Sequence, residues 1–403
     1  MTESSATDRM RWGSACSQQA DLAAAVDEAI GALRPALDPS LPVDLVLAFF
    51  TAPHLHAAEG LAARVRERLG PGCFAAVSAH GVVSAEHEVE AGPALSLLAA
   101  QLPGVQVSPF LLPQGEWNAS GPESLPFEVL APGAADAELV LLIADPFTLD
   151  SERVLHGFHH GAPGVRVVGG MASAGPTPNS NLLILNDWSS RGGGFAIALS
   201  GNLRVDVVVS QGCRPVGPAL EVTSVEGNLL HTLDGLPALE RAEQVLRALP
   251  EAERERLRHG LYVGRPARGA AAGTGDWLIR NLLGADRERG VLAVGDLLGE
   301  REKIRFHVRD AETAREDLEM LLSPQVVDVR PAAALLFACN SRGRGLYGQP
   351  DGDVSILRSV LGDPVPAAGM FCAGEIGPVG DRNFVHGHTA SIALIRPRTP
   401  SAN

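Results

Sequence analysis

Three short, nearly continuous apolar runs constrain this chain more than any other feature: Val43 to Phe50 (VDLVLAFF), Leu139 to Ala144 (LVLLIA) and Ala332 to Ala338 (AAALLFA). A run of this length, without polar alternation, fits a strand buried on both faces, which needs helices or further sheets to cover it. The surroundings repeat as well. Ala57 to Leu69 and Thr148 to Gly157 have helical spacing after the first two runs, and second apolar runs follow at Cys73 to Val77 and Val165 to Gly169. Later strand-like pairs lie at Ala94 to Ala100 with Val105 to Leu112, and at Phe195 to Leu199 with Val205 to Ser210, while Ala390 to Ile395 closes the third stretch. Two turns share the string Gly-Met-x-[Ser/Cys]-Ala-Gly, at Gly170 to Gly175 and Gly369 to Gly374. The expected fold is therefore α/β, a two-part protein built from repeated βαβ-plus-hairpin units with mixed sheets.

The segment Glu221 to Leu322 reads less clearly. It has a helical stretch at Pro237 to Leu249, a charged run at Glu251 to His259 and a Gly-Ala loop at Gly269 to Gly275. Strand-like runs at Trp277 to Leu283, Val291 to Val294 and Ile304 to Val308 suggest a degenerate fourth unit, followed by a helix over Ala311 to Leu322. A boundary falls near Leu220 to Gly235.

Charge and composition exclude several functions. A net charge of −14 opposes a nucleic-acid backbone partner, and 4% aromatic residues are too few for a base-stacking platform. Lys303 is the only lysine, so a Walker A loop is absent. The longest charge-free stretch, Ala91 to Gly115, is broken by Pro93, Pro103, Pro109 and Pro113, so no membrane insertion is expected. The N-terminus has no signal-peptide pattern, and the five cysteines include no CxxC. These features point to a cytoplasmic protein with free thiols.

Candidate site residues fall in loops at strand ends, where ligands collect in open α/β sheets. Gly343 to Gly348 matches G-x-G-x-x-G, but Asn340, Ser341 and Arg342 separate it from the preceding run and Arg344 would crowd a dinucleotide. Cys339 ends a predicted strand three residues before Arg342, a setting that favours thiolate character, and Cys372 ends the neighbouring strand; the alternative is a pair of inert buried thiols. Glu375, after Gly374, can accept an ammonium group, and Arg342 can take a carboxylate; alternatively the two bond each other. His386 with His388, His54 with His56, and His159 with His160 are pairs that could ligate iron or another metal, with surface or capping roles as the default. Glu86, Glu88 and Glu90 alternate and read as a solvated face. Ser173 lies at the wrong offset for a nucleophile elbow, and no enzymatic signature survives, so the reading leans against an enzyme and assigns no catalytic residue.

Several of these strings resemble FIST domain proteins. Ala334 to Gly343 (ALLFACNSRG), Pro366 to Pro378 (PAAGMFCAGEIGP) and Phe384 to Ala390 (FVHGHTA) resemble the FIST C-terminal part. Asp44 to His54, Ser78 to Glu90 and Ser210 to Pro218 resemble the N-terminal part. The resemblance implies a segment 1–39, a FIST N-terminal domain at 40–225, a FIST C-terminal domain at 226–395 and a tail at 396–403. It implies a sensory module for an amino acid or similar polar metabolite, held in a cleft between the two FIST parts. What carries over is the Cys-x-x-Arg-Gly loop (Cys339, Arg342, Gly343) and the Gly374-Glu375 turn. Arg342 would hold a carboxylate and Glu375 an ammonium, with Ser78, Gly81, Gly170, Ser173, Gly374 and His388 lining the rest. No cofactor is expected; the alternative from the same family is a haem-based nitric-oxide sensor, with His388 or His80 as axial ligand. A further alternative is a thiol-dependent enzyme or redox sensor using Cys339. Only eight residues follow Ile395, so the expected output is a separate, unidentified signalling protein.

Overall fold

The computed structural model describes residues 9–113, 115, 117, 126–267, 277–362 and 364–398. The first repeat contains β1 (Arg11–Ser17), β2 (Leu45–Thr51), β3 (Cys73–Ala79), a hairpin of β4 (Val82–Ser84) and β5 (Glu88–Val89), and β6 (Leu95–Gln101). The second follows the same order: β7 (Val105–Leu112), β8 (Leu139–Ala144), β9 (Val167–Met171), hairpin β10 (Leu183–Leu185) and β11 (Trp188–Ser190), then β12 (Gly194–Gly201). A third repeat opens with β13 (Leu203–Gln211). The chain then runs through β14 (Cys213–Glu226), β15 (Leu229–Leu233), β16 (Leu236–Pro237), β17 (Leu261–Pro266), β18 (Trp277–Asp286), β19 (Val291–Val294) and β20 (Lys303–Arg309). The third repeat resumes with β21 (Ala333–Cys339), β22 (Ala367–Cys372), hairpin β23 (Glu375–Val379) and β24 (Arg382–His386), and β25 (Thr389–Pro397).

In each repeat the second and third strands are parallel, as the paired apolar runs predict, and a helix crosses between them: Leu61–Leu69, Ser151–Gly161 and Gly352–Leu361. Local chemistry sets the helix ends. Asp150 accepts from Arg153 N at 3.1 Å to start one helix, and Gly70, at φ 53, ends another in the left-handed region.

The three sheets have one plan, with orders β1-β6-β2-β3-β10-β11, β7-β12-β8-β9-β23-β24 and β13-β25-β21-β22-β4-β5. The last two strands of each come from another repeat. The first repeat's hairpin joins the third's sheet, the second's joins the first's, and the third's joins the second's. This cyclic exchange covers the exposed edge of every third strand. It also explains why both strand faces are apolar. Leu45, Leu47 and Phe49, with Leu141, Ile143, Leu335 and Phe337, share one core spanning all three repeats. Their outward neighbours Val46, Ala48 and Phe50 pack under the first repeat's helices, and the other repeats do likewise.

The shared turn string is one residue out of structural register. Gly169 pairs with Leu142 and Gly369 with Leu336, and a Cβ at either glycine would lie 1.9 or 1.8 Å from that partner's carbonyl oxygen. Gly169, not Gly170, is therefore the counterpart of Gly369.

By contacts the chain forms two compact units. One comprises residues up to Ser210, Leu318–Val385 and the stretch from Thr389; the other comprises Gln211–Asp317 with His386–His388. The second is not a fourth βαβ unit: its seven strands, ordered β14-β20-β17-β18-β19-β15-β16, pair antiparallel throughout the described residues. Val216, Leu220, Val263, Ile304 and Phe306 fill its core with Ala242 and Val245 of the helix Ala238–Ala248. The Gly269 to Gly275 loop lies outside the described residues. No described helix is long and apolar enough to cross a membrane.

Candidate functional site

At the carboxyl end of β3, β9 and β22 the chain crosses into another repeat's sheet, and the three crossings bond to one another in a ring. Ser173 N donates to Ser78 O (3.4 Å) and Ala373 N to Met171 O (3.1 Å). The third link runs through a side chain: His80 N donates to Ser173 Oγ (2.9 Å), which donates to Phe371 O (2.6 Å). The Ser78 hydroxyl accepts from Leu182 N at 2.8 Å, and the Gly81 and Gly374 carbonyls accept from Phe371 N and Met171 N. Close approach demands glycine at position 170, where a Cβ would meet Cys372 Sγ at 2.3 Å. Ser78, Gly81, Gly170, Ser173 and Gly374 are thus brought together, each with a role in closing the ring.

Beside this ring, β21 and β22 place Cys339 and Cys372 directly opposite each other in parallel register. Glu375, fully buried, starts the strand that pairs with Gly170. Its Oε2 accepts from Thr389 N (3.1 Å) and Thr389 Oγ1 (2.9 Å). Oε1 has no nitrogen or oxygen partner among the described residues, and the Cys339 thiol donates to this carboxyl. Burial pushes the Glu375 pKa up to about 8, against the pull of the Thr389 and Cys339 bonds and of Arg342. Burial, then the nearby Glu375 and Cys339, also raise the Cys372 thiol well above its usual value. The Ser341 hydroxyl donates to Cys339 Sγ at 3.2 Å. Cys339 is 8% exposed and Asn340 is at the surface, so the thiol sits one residue beneath solvent.

Arg342 is fully buried, and its fork is bound by Asp353 rather than Glu375: Nε to Oδ2 at 2.8 Å and Nη2 to Oδ1 at 2.6 Å. Tyr347 Oη accepts from Arg342 Nη2 (2.7 Å) and donates to Asp353 Oδ1 (2.8 Å). Burial works against the guanidinium charge, but Asp353 and Tyr347 hold it protonated, with a pKa above the ordinary arginine range. Nη1 alone has no hydrogen-bond partner among the described residues.

Gly343, at φ 56, precedes a four-residue helix, Arg344–Tyr347. The position where a dinucleotide phosphate would sit holds the Glu90 carboxylate, which accepts from Arg344 N at 2.9 Å. A Cβ at Gly343 would lie 2.6 Å from it. The alternating glutamates are therefore not one solvated face. Glu86 is exposed, but Glu88 is 5% exposed, accepts from Val354 N (2.9 Å) and has a pKa raised to about 8 by burial and by Asp353. The exchanged hairpin carries Glu88 against the third repeat's helix Gly352–Leu361, which a strand's own alternation cannot reveal.

His388 belongs to the smaller unit, where Nε2 meets Asn281 Oδ1 at 3.0 Å and the ring tilts over Tyr262. To bind haem iron it would have to give up the Asn281 bond, and His80 would do so from the exposed surface. Among the described residues no cluster of three or more His, Cys, Asp or Glu is placed to hold a metal. Asp353, Tyr347 and Thr389 went unrecognised in the sequence as members of this site. The one available signal was that buried Arg342 needs a carboxylate, and Asp353 lies one helix turn past the loop.

Fold and site together define a three-repeat α/β unit with a buried polar cluster at parallel strand ends, interrupted by a second, antiparallel unit. The FIST N domain matches residues 44–236 and the FIST C domain residues 238–378, so the chain belongs to the FIST family. Domains of this family are generally sensory ligand-binding domains. An uncharacterized protein of Mycobacterium tuberculosis is 33% identical over 402 residues, covering 96% of this chain and 99% of its own. One from Mycobacterium bovis is 34% identical over 389 residues, covering 96% and 98%. Among solved structures, cyanuric acid hydrolase from A. caulinodans covers 97% of this chain and 100% of its own, with TM-score 0.38 and 10% identity. A chorismatase covers 96% and 99%, with TM-score 0.36 and 9% identity. Likenesses at that level carry no argument about activity.

Proposed function

We propose that this protein is a sensor for an amino acid or similar small polar metabolite, bound at the ends of β21 and β22 and read out by a separate partner protein. The observation that carries the reading is the Glu375 carboxyl: fully buried, with one oxygen that meets no nitrogen or oxygen partner among the described residues. Burying such a group without a full set of partners costs roughly 1–3 kcal/mol, a cost a ligand ammonium would offset. Arg342 takes a smaller part than a bidentate clamp, because Asp353 occupies its fork; Nη1 remains to donate to one ligand oxygen. The turn residues Ser78, Gly81, Gly170, Ser173 and Gly374 hold the walls in place.

A native mass spectrum of freshly purified protein, set against its denatured mass, tests this directly. An adduct in the amino-acid range supports the reading and identifies the ligand class. An adduct of haem mass would replace it with gas sensing. Thermal shifts against a panel of free amino acids, in wild type and Glu375→Gln, give the second arm, and equal shifts in both proteins would overturn the assignment to Glu375.

A further inference from the structure

We propose that Cys339 and Cys372 form a redox pair, closing reversibly into a cross-strand disulfide when the protein meets hydrogen peroxide. The two residues are direct partners in the parallel ladder of β21 and β22, so their side chains leave the sheet on the same face. Neighbouring strands lie about 4.8 Å apart, within the Cα separation of roughly 4.4–6.8 Å that disulfides span. Alternation along both strands turns these side chains inward: Cys372 lies in the core shared by Leu335, Phe337 and Met370. Each sulfur also feels the other and Glu375.

The two positions differ in a way that assigns their roles. Cys339 is 8% exposed beneath the exposed Asn340, and its sulfur accepts a hydrogen bond from Ser341. A hydrogen bond to sulfur favours the thiolate, the nucleophilic form. Cys372 is fully buried, with Gly170 so close that no Cβ fits between them. Cys339 is therefore the residue peroxide reaches first, and Cys372 the resolving residue behind it.

The chemistry balances without a further reactant. Glu375, when ionised, takes the proton from the Cys339 thiol, and the thiolate attacks one peroxide oxygen. The O–O bond breaks, and the departing hydroxide recovers that proton as water, leaving a sulfenic acid on Cys339. The Cys372 sulfur then attacks the Cys339 sulfur. The S–O bond breaks, the S–S bond forms, and the second water leaves with the Cys372 proton. Two thiols and one peroxide give a disulfide and two waters. The reduced pair returns through exchange with an external thiol.

The step shares Glu375 with the proposed ligand site, but its product is a bond between two sulfurs, so it is read in ligand-free protein and its failure is distinct from a failure to bind an amino acid. The test uses the full-length protein, treated with hydrogen peroxide, denatured in N-ethylmaleimide and digested for mass spectrometry. The expected product is a Cys339–Cys372 linked peptide, lighter by two hydrogens than the separate peptides and lost on dithiothreitol treatment. A Cys372→Ala variant should instead accumulate a dimedone-trapped sulfenic acid at Cys339. If both cysteines remain fully alkylated after peroxide, or if Cys339 over-oxidises in wild type without forming the link, the proposal is wrong. Should Cys372→Ala fail to fold, the wild-type peptide map decides alone.

Discussion

Glu375 makes the stability of the larger unit depend on pH in an unusual direction, and Glu375→Gln exposes it. Most native carboxyls have lowered pKa values and lose their contribution in acid. Here the folded-state value is raised from 4.5 to about 8. Between those values the native state keeps a proton that the unfolded chain has released, so stability is greatest below the unfolded pKa and declines as pH rises through the folded one. Each pH unit inside that window is worth about 1.4 kcal/mol. From pH 5 to pH 8 this one group removes roughly 3–4 kcal/mol as a ceiling, since water penetration softens a buried site. Gln keeps an oxygen for the Thr389 bonds and cannot titrate. Urea unfolding at pH 5, 6, 7 and 8, followed by fluorescence and circular dichroism, should show wild type losing stability relative to Glu375→Gln as pH rises. Parallel profiles for the two proteins would refute the raised pKa and the burial argument behind it.

Other changes have distinct signatures. Asp353→Ala leaves the Arg342 guanidinium buried without its partner and should cost about 3–5 kcal/mol by urea unfolding, whereas the double change Arg342→Met, Asp353→Leu should recover most of it. Gly369→Ala puts a Cβ 1.8 Å from the Leu336 carbonyl oxygen and should cost at least the ~1–3 kcal/mol of overpacking. Gly31→Ala, in the helix Leu22–Leu33 with nothing within 4 Å, should instead stabilise by about 0.5–1 kcal/mol; thermal melts of both variants check the pair. Ser173→Ala breaks the side-chain link in the ring and should cost about 1–3 kcal/mol by the same melts, with Ser173→Thr less damaging if its hydroxyl keeps the Phe371 bond.

The repeating architecture was legible because a strand buried on both faces leaves a mark in the sequence. VDLVLAFF, LVLLIA and AAALLFA became β2, β8 and β21 with their parallel partners. The exchange of hairpins was not legible, because a three-residue strand such as Val82–Ser84 carries no record of which edge it joins. That loss explains the misreading of Glu88, whose burial comes from another repeat. The turn string misled by one residue for a related reason. A glycine's place in a ladder is fixed by its partner strand, and Gly169 and Gly369 are recognised as counterparts only through Leu142 and Leu336. The strand-end position of Cys339, Arg342 and Glu375 followed from the motifs. Arg342's pairing depends on Asp353, eleven residues on, which no local pattern singled out.

Whether Glu375 receives a ligand ammonium is decided by titration calorimetry at pH 7 in buffers of different ionisation enthalpy. Burial raises the Glu375 pKa to about 8, so the free carboxyl is mostly protonated at pH 7, and binding an ammonium should release the larger part of one proton per site. Wild type should show that release with a free amino acid from the panel, and Glu375→Gln should lose it and bind more weakly. Binding with no proton release, or affinity unchanged by Glu375→Gln, would contradict that role.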